Sequence, residues 1–327
     1  MQAMTFQQYG LPSVLELSEL TTPIPQSREV LVEVHFSAIN DYDWSMVRGR
    51  PWIYRLMFGL WKPKQQVPGM EMSGVVKAVG NEVSRFQVGD AVYGDLSDHG
   101  SGSFAEYICL HEDAFRKKPA KMSFEAAAAL PHAALLAWQS IQQVPKIKNG
   151  HRILINGAGG GVGTLALQII RHTGAQIHLT GVDAWEKLDQ LRDWGFDEVI
   201  DYRAQDFTQL GQKYDLILDC KTSRLPWRYL KALKSGGNYI TVGGKLRNLL
   251  LLLVFSPCAG FFFNRSLRLL ALKPNQGLEE IEEMVVSGKI DPLLDGPYPL
   301  LDASKVLQRF GEGKHHGKVL LRVKGMK

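Results

Sequence analysis

A run of small residues at 156–163, NGAGGGVG, points most directly to chemistry. It follows the apolar stretch RILIN (152–156) and precedes a helical period over 162–173. The spacing Ala158-x-Gly160-x-x-Gly163, with Gly161 and Val162 inside it, leaves backbone N–H groups bare where a helix starts. A diphosphate can rest there, because no Cβ blocks it and the helix dipole favours negative charge. A lone Gly-x-Gly-x-x-Gly would be weak evidence. Here it opens a βαβ unit, and an acidic residue, Asp183, ends the next strand. A carboxylate there can accept both ribose hydroxyls of NAD and would repel the 2′-phosphate of NADP. Lys187, one turn on, can instead serve a phosphate. The reading is a nicotinamide dinucleotide, NAD(H) or NADP(H), with NAD favoured by Asp183. The plainer alternative is a glycine-rich turn with a helix-capping Asp.

The elements that must hold this loop can be read from hydrophobic period. Over 1–120 the pattern is short and alternating: LVEVHFSAI (31–39), GVVKAVG (74–80), GDAVYG (89–94) and FAEYICL (104–110). That predicts an antiparallel barrel-like or sandwich-like unit. Ser123 can cap a helix that Pro131 stops. Strand and helix patterns then alternate: strands at 152–156, 177–182, 198–200, 214–219 and 238–242, helices between them. Right-handed crossovers make that a doubly wound α/β domain with a parallel sheet. The last strand, KVLLRV (318–323), resembles the first stretch, so the first domain is expected to be discontinuous.

Length and composition fit this division. The 327 residues suggest about two domains. Hydrophobic residues are 45% and charged residues 22%, the ordinary globular balance, which argues against a disordered chain or a coiled coil. A net charge of +5 slightly favours anionic ligands and does not imply nucleic acid. Cys109, Cys220 and Cys258 are too scattered for a disulfide scaffold, so a reduced, cytoplasmic setting fits. The N-terminus lacks a signal-peptide pattern. Residues 249–263, LLLLLVFSPCAGFFF, fall short of the ~20 residues of a span and are interrupted by Pro257 and Gly260. They are expected to form a buried or subunit-interface segment; a pocket cover or membrane-surface contact is the alternative. Residues 48–66 interleave arginine with aromatics, which reads as a lid with a solvated rim in preference to a nucleic-acid surface.

Many short segments together resemble the medium-chain dehydrogenase/reductase superfamily, in its zinc-independent quinone oxidoreductase-like branch. They are VEVHFSAINDYDW (32–44), VPGMEMSGVVKAVG (67–80), RFQVGDAVYG (85–94), SFAEY (103–107), ALPHAALLAWQ (129–139), ILINGAGGGVG (153–163), DEVIDY (197–202), YDLILD (214–219), GGNYITVGG (236–244) and GKVLL (317–321). The resemblance spans nearly the whole chain. It implies a GroES-like domain (1–121 and 273–327) and a Rossmann dinucleotide-binding domain (122–272). It also implies a homodimer, and hydride transfer from NAD(P)H to a quinone, enal, enone or related carbonyl substrate. A cofactor-binding sensor or nucleic-acid-binding protein without turnover is the alternative on the same fold.

The resemblance also assigns residues. Tyr202 matches a position that contacts the adenosine end of the cofactor, and Val242, Gly243 and Gly244 match the loop against the nicotinamide. Asn40 and Asp43 match the family's Asn-x-x-Asp segment: Asn40 as a hydrogen-bond donor to a substrate or cofactor oxygen, Asp43 as loop-orienting group or proton relay. Both can equally be turn-stabilising side chains at a strand end. Tyr42, Tyr54, Tyr93 and His132 are candidate proton donors. The positions matching the catalytic zinc ligands are Asn40, Met70 and His132, a poor set for Zn2+. Residues 94–104 contain none of the cysteines of the structural-zinc lobe. No metal site is therefore expected. Two departures stand out: Lys221, where a small residue is usual, and about two extra residues between Gly174 and Asp183.

Overall fold

The computed structural model describes residues 1–325. They form two compact units. The first is Met1–His132 with Pro274–Leu278 and the described residues from Leu294 onward, and the second is Ala133–Lys273 with Glu279–Leu293.

The first unit is built on one long strand, Glu29–Ala38, which pairs antiparallel with Glu71–Val79, Tyr107–His111 and Lys318–Arg322. Val30, Val32 and Val34 alternate into a core with Met72, Val92, Phe104 and Phe115. Period-two branched residues make such a strand, since each second side chain leaves water while its neighbours do not. The terminal strand pairs with the first unit's long strand, as Leu320 opposite Ala38 and Arg322 opposite Phe36 show. At the end of the long strand the chain turns into the helix Asp41–Arg48. Asp43 reaches back to accept the amide of Asn40 (2.9 Å), and Gly49 at φ 57° ends the helix. Ser123 Oγ caps Phe124–Ala129 by accepting from Ala126 N (3.0 Å). Pro131 then opens a second helix, Pro131–Gln142.

The second unit carries six parallel strands. Their order across the sheet is Glu198–Asp201, His178–Asp183, Arg152–Asn156, Tyr214–Asp219, Leu233–Thr241, Ser266–Leu269. In chain order this is third, second, first, fourth, fifth, sixth, the doubly wound arrangement. Its strands read as continuous apolar runs because both faces are covered. The reversal of order lies between Arg152–Asn156 and Tyr214–Asp219, the place where open α/β sheets bind ligands.

One half of an expectation, burial of the apolar run within the chain, is overturned. Residues 249–263 belong to a single helix, Leu246–Phe263, that runs through Pro257 and Gly260, and only 17% of it is buried. A proline inside a helix removes one backbone hydrogen bond, and the other turns carry the element. The segment is not buried because the sheet offers packing to one of its faces only. Leu252 and Ala259 enter the core while Leu250, Val254 and Phe261 stay exposed.

Candidate functional site

The glycine loop sits at the carboxyl end of Arg152–Asn156, beside the reversal in strand order. The helix Gly161–His172 begins at Gly160, which supplies no side-chain cap. The first-turn amides of a helix have no acceptor of their own. Asp183 Oδ2 accepts from Gly159 N (2.8 Å) and Oδ1 from Ala184 N (2.8 Å), and Lys187 Nζ lies 3.6 Å from Oδ1. So Asp183 braces the loop, and its own negative charge is partly met by Lys187. Space is tight beneath the loop: a Cβ on Gly163 would lie 2.5 Å from Gly157 O and 2.6 Å from Ala158 O. Gly157 itself has φ +84°, and Lys221 lies across it, within 3.4 Å of where a Cβ would stand. The donors, the missing side chains and the lysine together fit a dinucleotide's diphosphate.

Tyr202 follows the adjacent strand end, donates its amide to Asp183 O (3.2 Å) and is half exposed. Arg203 stacks over the Tyr202 ring at 5.7 Å and pairs with Glu186 at 2.6 Å. Asp183, Lys187, Tyr202 and Arg203 thus gather at the ends of two neighbouring strands. Val242 and Gly243 follow the strand Leu233–Thr241, and a Cβ on Gly243 would meet nothing within 4 Å. That open spot can take a flat ring.

The loops after the fourth and fifth strands are tied by a buried carboxylate. Asp219 Oδ1 accepts from Asn156 Nδ2 (2.7 Å), Lys221 N (2.8 Å) and Thr222 N (2.9 Å), and Oδ2 accepts from Tyr239 OH (3.0 Å). Thr222 Oγ1 donates to Gly243 O (2.6 Å) and contacts Thr241 Oγ1. Sequence reading passed over Asp219 and Thr222. The signal was an acid ending an otherwise apolar strand, YDLILD. A buried charge persists only where donors satisfy it.

In the first unit, Asn40, Glu71, His132 and Lys318 meet in one buried network. Lys318 Nζ donates to Asn40 Oδ1 (2.5 Å) and Glu71 Oε2 (2.6 Å). Asn40 Nδ2 donates to Glu71 Oε2 (2.7 Å) and Ala38 O (3.4 Å), and Glu71 Oε1 accepts from His132 N (3.0 Å). The structure therefore revises the reading of Asn40 as a donor to substrate: both its amide hydrogens are engaged internally. Asp43 is fully buried, accepting from Asn40 N and Gly69 N (2.9 Å each). Both bonds tie this loop to the helix start. Lys318 was missed, because a lysine opening a terminal strand reads as a solvated end.

These residues do not fit a catalytic Zn2+. Met70 is a buried thioether, Asn40 and Glu71 are held by the Lys318 ammonium, and His132 Nδ1 is engaged by Asp95 Oδ2 at 2.8 Å. A lysine cation takes the charge-neutralising place that a metal would need. Among the described residues no three His, Cys, Asp or Glu cluster as a metal site.

The same network titrates. Burial lowers the His132 pKa, but the Asp95 carboxylate outweighs it and holds the ring above the ordinary histidine range. Burial raises Asp95, but the His132 charge and hydrogen bonds from Ser97 hold it below the usual value. Burial pushes Asp43 up to about 7 against its two amide donors. For His132 and Asp43 the folded pKa is raised, so their stabilisation is present at low pH. It is lost as pH rises, for Asp43 between the unfolded carboxylate range and about 7, and for His132 above its ordinary range. Asp95 acts oppositely and loses its contribution only in acid. The first unit is therefore expected to be less stable in mildly alkaline than in mildly acidic buffer. Thermal melts across that interval check this, and His132→Gln should flatten the His132 part.

The chain matches two family models: alcohol dehydrogenase GroES-like domain over residues 26–120, and zinc-binding dehydrogenase over 194–321. It is 30% identical to the chloroplastic quinone-oxidoreductase homolog of Spinacia oleracea, covering 98% of each chain. It is 28% identical to a 2-methylene-furan-3-one reductase of Solanum lycopersicum, over 98% of this chain and 79% of that one. The quinone oxidoreductase structure from Coxiella burnetii superposes with a TM-score of 0.86 at 26% identity, over 99% of each chain. An Escherichia coli quinone oxidoreductase complexed with NADPH shares the fold, with a TM-score of 0.80 at 24% identity over 98% of this chain and 100% of that one.

Proposed function

The chain belongs to the medium-chain dehydrogenase/reductase superfamily, in its quinone oxidoreductase-like branch, and from that premise we propose an NAD(P)H-dependent reductase of quinones, enals, enones or related carbonyl compounds. One observation carries the proposal: an uncapped helix start, floored by Gly163, at the reversal point of a doubly wound sheet. When bound, the reduced nicotinamide supplies the hydride. Gly161, Val162 and Gly163 offer their first-turn amides to the diphosphate. Ala158 and Gly160 shape the turn, their own amides donating to Val182 O (3.1 Å) and Gly157 O (3.2 Å), and Lys221 adds a cation across Gly157. Asp183, Lys187 and Tyr202, with Arg203, hold the adenosine end. Val242 and Gly243 leave room for the ring, on loops that Asp219 keeps fixed.

No step in this reading uses zinc. The substrate gains negative charge at its oxygen as hydride arrives, and a proton must follow. Of the four candidate donors, Tyr93 is fully buried and burial pushes Tyr42 and Tyr54 upward. His132 keeps a partly exposed ring, hydrogen-bonded to Asp95 Oδ2 at 2.8 Å, and of the four it is the candidate donor that burial disfavours least. Asn40 and Asp43 are positioning residues for that loop. Cys109, Cys220 and Cys258 form no disulfide among the described residues, which suits a reducing compartment. A homodimer is the assembly the family resemblance implies.

Steady-state assays with NADH and NADPH against quinone and enal panels test the proposal. Turnover of at least one panel member is expected; tight cofactor binding with none turned over would count against it. Asp183 should set the cofactor ratio. Asp183→Ser removes a charge beside the ribose and is expected to shift relative affinity toward NADPH by roughly tenfold, about 1.4 kcal/mol. Titration of each nucleotide by fluorescence reads it, and an unchanged ratio would remove Asp183 from the ribose site.

A further inference from the structure

The helix Leu246–Phe263 exposes an apolar face. Leu250, Val254 and Phe261 are 55%, 78% and 86% exposed, and Leu253 and Phe262 flank them. Positions 250, 253, 254, 257, 258, 261 and 262 follow the helical repeat, so they form one stripe. At 1.5 Å per residue the helix is about 27 Å long. The opposite face is fastened to the second unit: Asn248 Nδ2 donates to Thr222 O (2.9 Å), Ser256 Oγ donates to Leu267 O (2.5 Å), and Leu252 and Ala259 enter the core. Trp227, on the neighbouring helix Pro226–Ala232, meets Phe255 edge-on at 6.4 Å and is itself 46% exposed. A helix apolar on both faces, with one face in water, lacks a partner.

Charge identifies the partner. Between Asp219 and Glu279 the chain has ten lysines and arginines and no aspartate or glutamate. Lys245 and Arg247 stand exposed at the start of the helix and Arg268 just beyond its end. Basic residues at the ends of a Phe- and Leu-faced helix match the interface of a bilayer with anionic headgroups, where rings and branched chains enter the acyl boundary and cations meet phosphate. A second copy docked through the same patch about a two-fold axis would bring like charges together with no acid between them. A nucleic acid would use the cations and leave the apolar stripe in water.

We propose that this face docks the protein, in the plane of the membrane, on an anionic lipid surface. The helix lies on the bilayer and does not cross it, because its inner face is part of the second unit's core. This proposal does not depend on the oxidoreductase reading.

Sedimentation of the full chain with phosphatidylcholine vesicles, with and without phosphatidylglycerol, tests it. The chain should pellet with the anionic vesicles, less so at high salt, and stay in solution with phosphatidylcholine alone. The triple variant L250S/V254S/F261S should lower partitioning at least about tenfold. K245E/R247E should lower it on anionic vesicles too. Both variants should keep the circular dichroism and NADH binding of the parent, so lost partitioning would not reflect misfolding. No pelleting with anionic vesicles would overturn the proposal. So would a triple variant that pellets like the parent, or equal pelleting on neutral lipid. A triple variant that dissociates a parental dimer while neither binds vesicles would make the face a contact between copies. Retention of RNA without vesicle binding would make it a nucleic-acid surface.

Discussion

Gly163→Val is expected to reduce nicotinamide-nucleotide affinity by at least ~100-fold, about 2.7 kcal/mol or more. The reason is backbone against backbone. A Cβ at 163 would stand 2.5 Å from Gly157 O, 2.6 Å from Ala158 O and 2.7 Å from Ala158 Cα. No flexible side chain can give way, so the helix must lift off the strand and take its first-turn amides away from the diphosphate. Part of the strain falls on the fold, and the second unit should lose roughly 2–4 kcal/mol, as backbone clashes do. Gly243→Ala is the control. Its Cβ would meet nothing within 4 Å, so stability should hold and any effect should be confined to the ring's seat. Isothermal titration with NADH and NADPH, beside urea unfolding, separates the two losses. Gly163→Val binding within about threefold of the parent would mean that the diphosphate does not sit on this turn.

Lys318→Met is expected to destabilise the first unit by about 3–5 kcal/mol. Lys318 is buried, and its ammonium is held by Glu71 Oε2 and Asn40 Oδ1. Removing it leaves the Glu71 carboxylate without its cation in a site where its remaining partners are Asn40 Nδ2 and the His132 amide. Breaking one side of a buried pair leaves an uncompensated charge, whereas removing both sides need not. The double variant Lys318→Met/Glu71→Gln should therefore recover much of the loss, a coupling that single losses would not predict. Hydrogen exchange in the strand Glu29–Ala38, read beside urea unfolding, localises the change to the first unit. A loss below about 1 kcal/mol would mean that the pair is not the buried anchor its distances describe. Zinc should not restore Lys318→Met, because Asn40 and Met70 still occupy the positions where ligands would be needed.

Local backbone demands are legible in the residues alone. NGAGGGVG between an apolar strand and a helical period specifies a tight strand-to-helix turn, since only glycine at 163 tolerates that approach of helix to strand. The alternation in 31–39 and the branched runs at 152–156 and 214–219 specify strands, because burial on a pleated surface repeats every second residue or continuously. Contacts between partners far apart in the chain are settled only by folding. Lys318 meets Asn40 and Glu71 across more than two hundred residues, and nothing local marks a strand-opening lysine as buried. Asn40 and Asp43 looked alike as candidates at one strand end. The fold turned both inward: Asn40 Nδ2 donates to Glu71 and Ala38, Asn40 Oδ1 accepts from Lys318, and Asp43 accepts from Gly69 N. The run 249–263 showed its apolarity but not its exposure, because hydropathy is a property of side chains and burial is a property of what the sheet leaves room to cover.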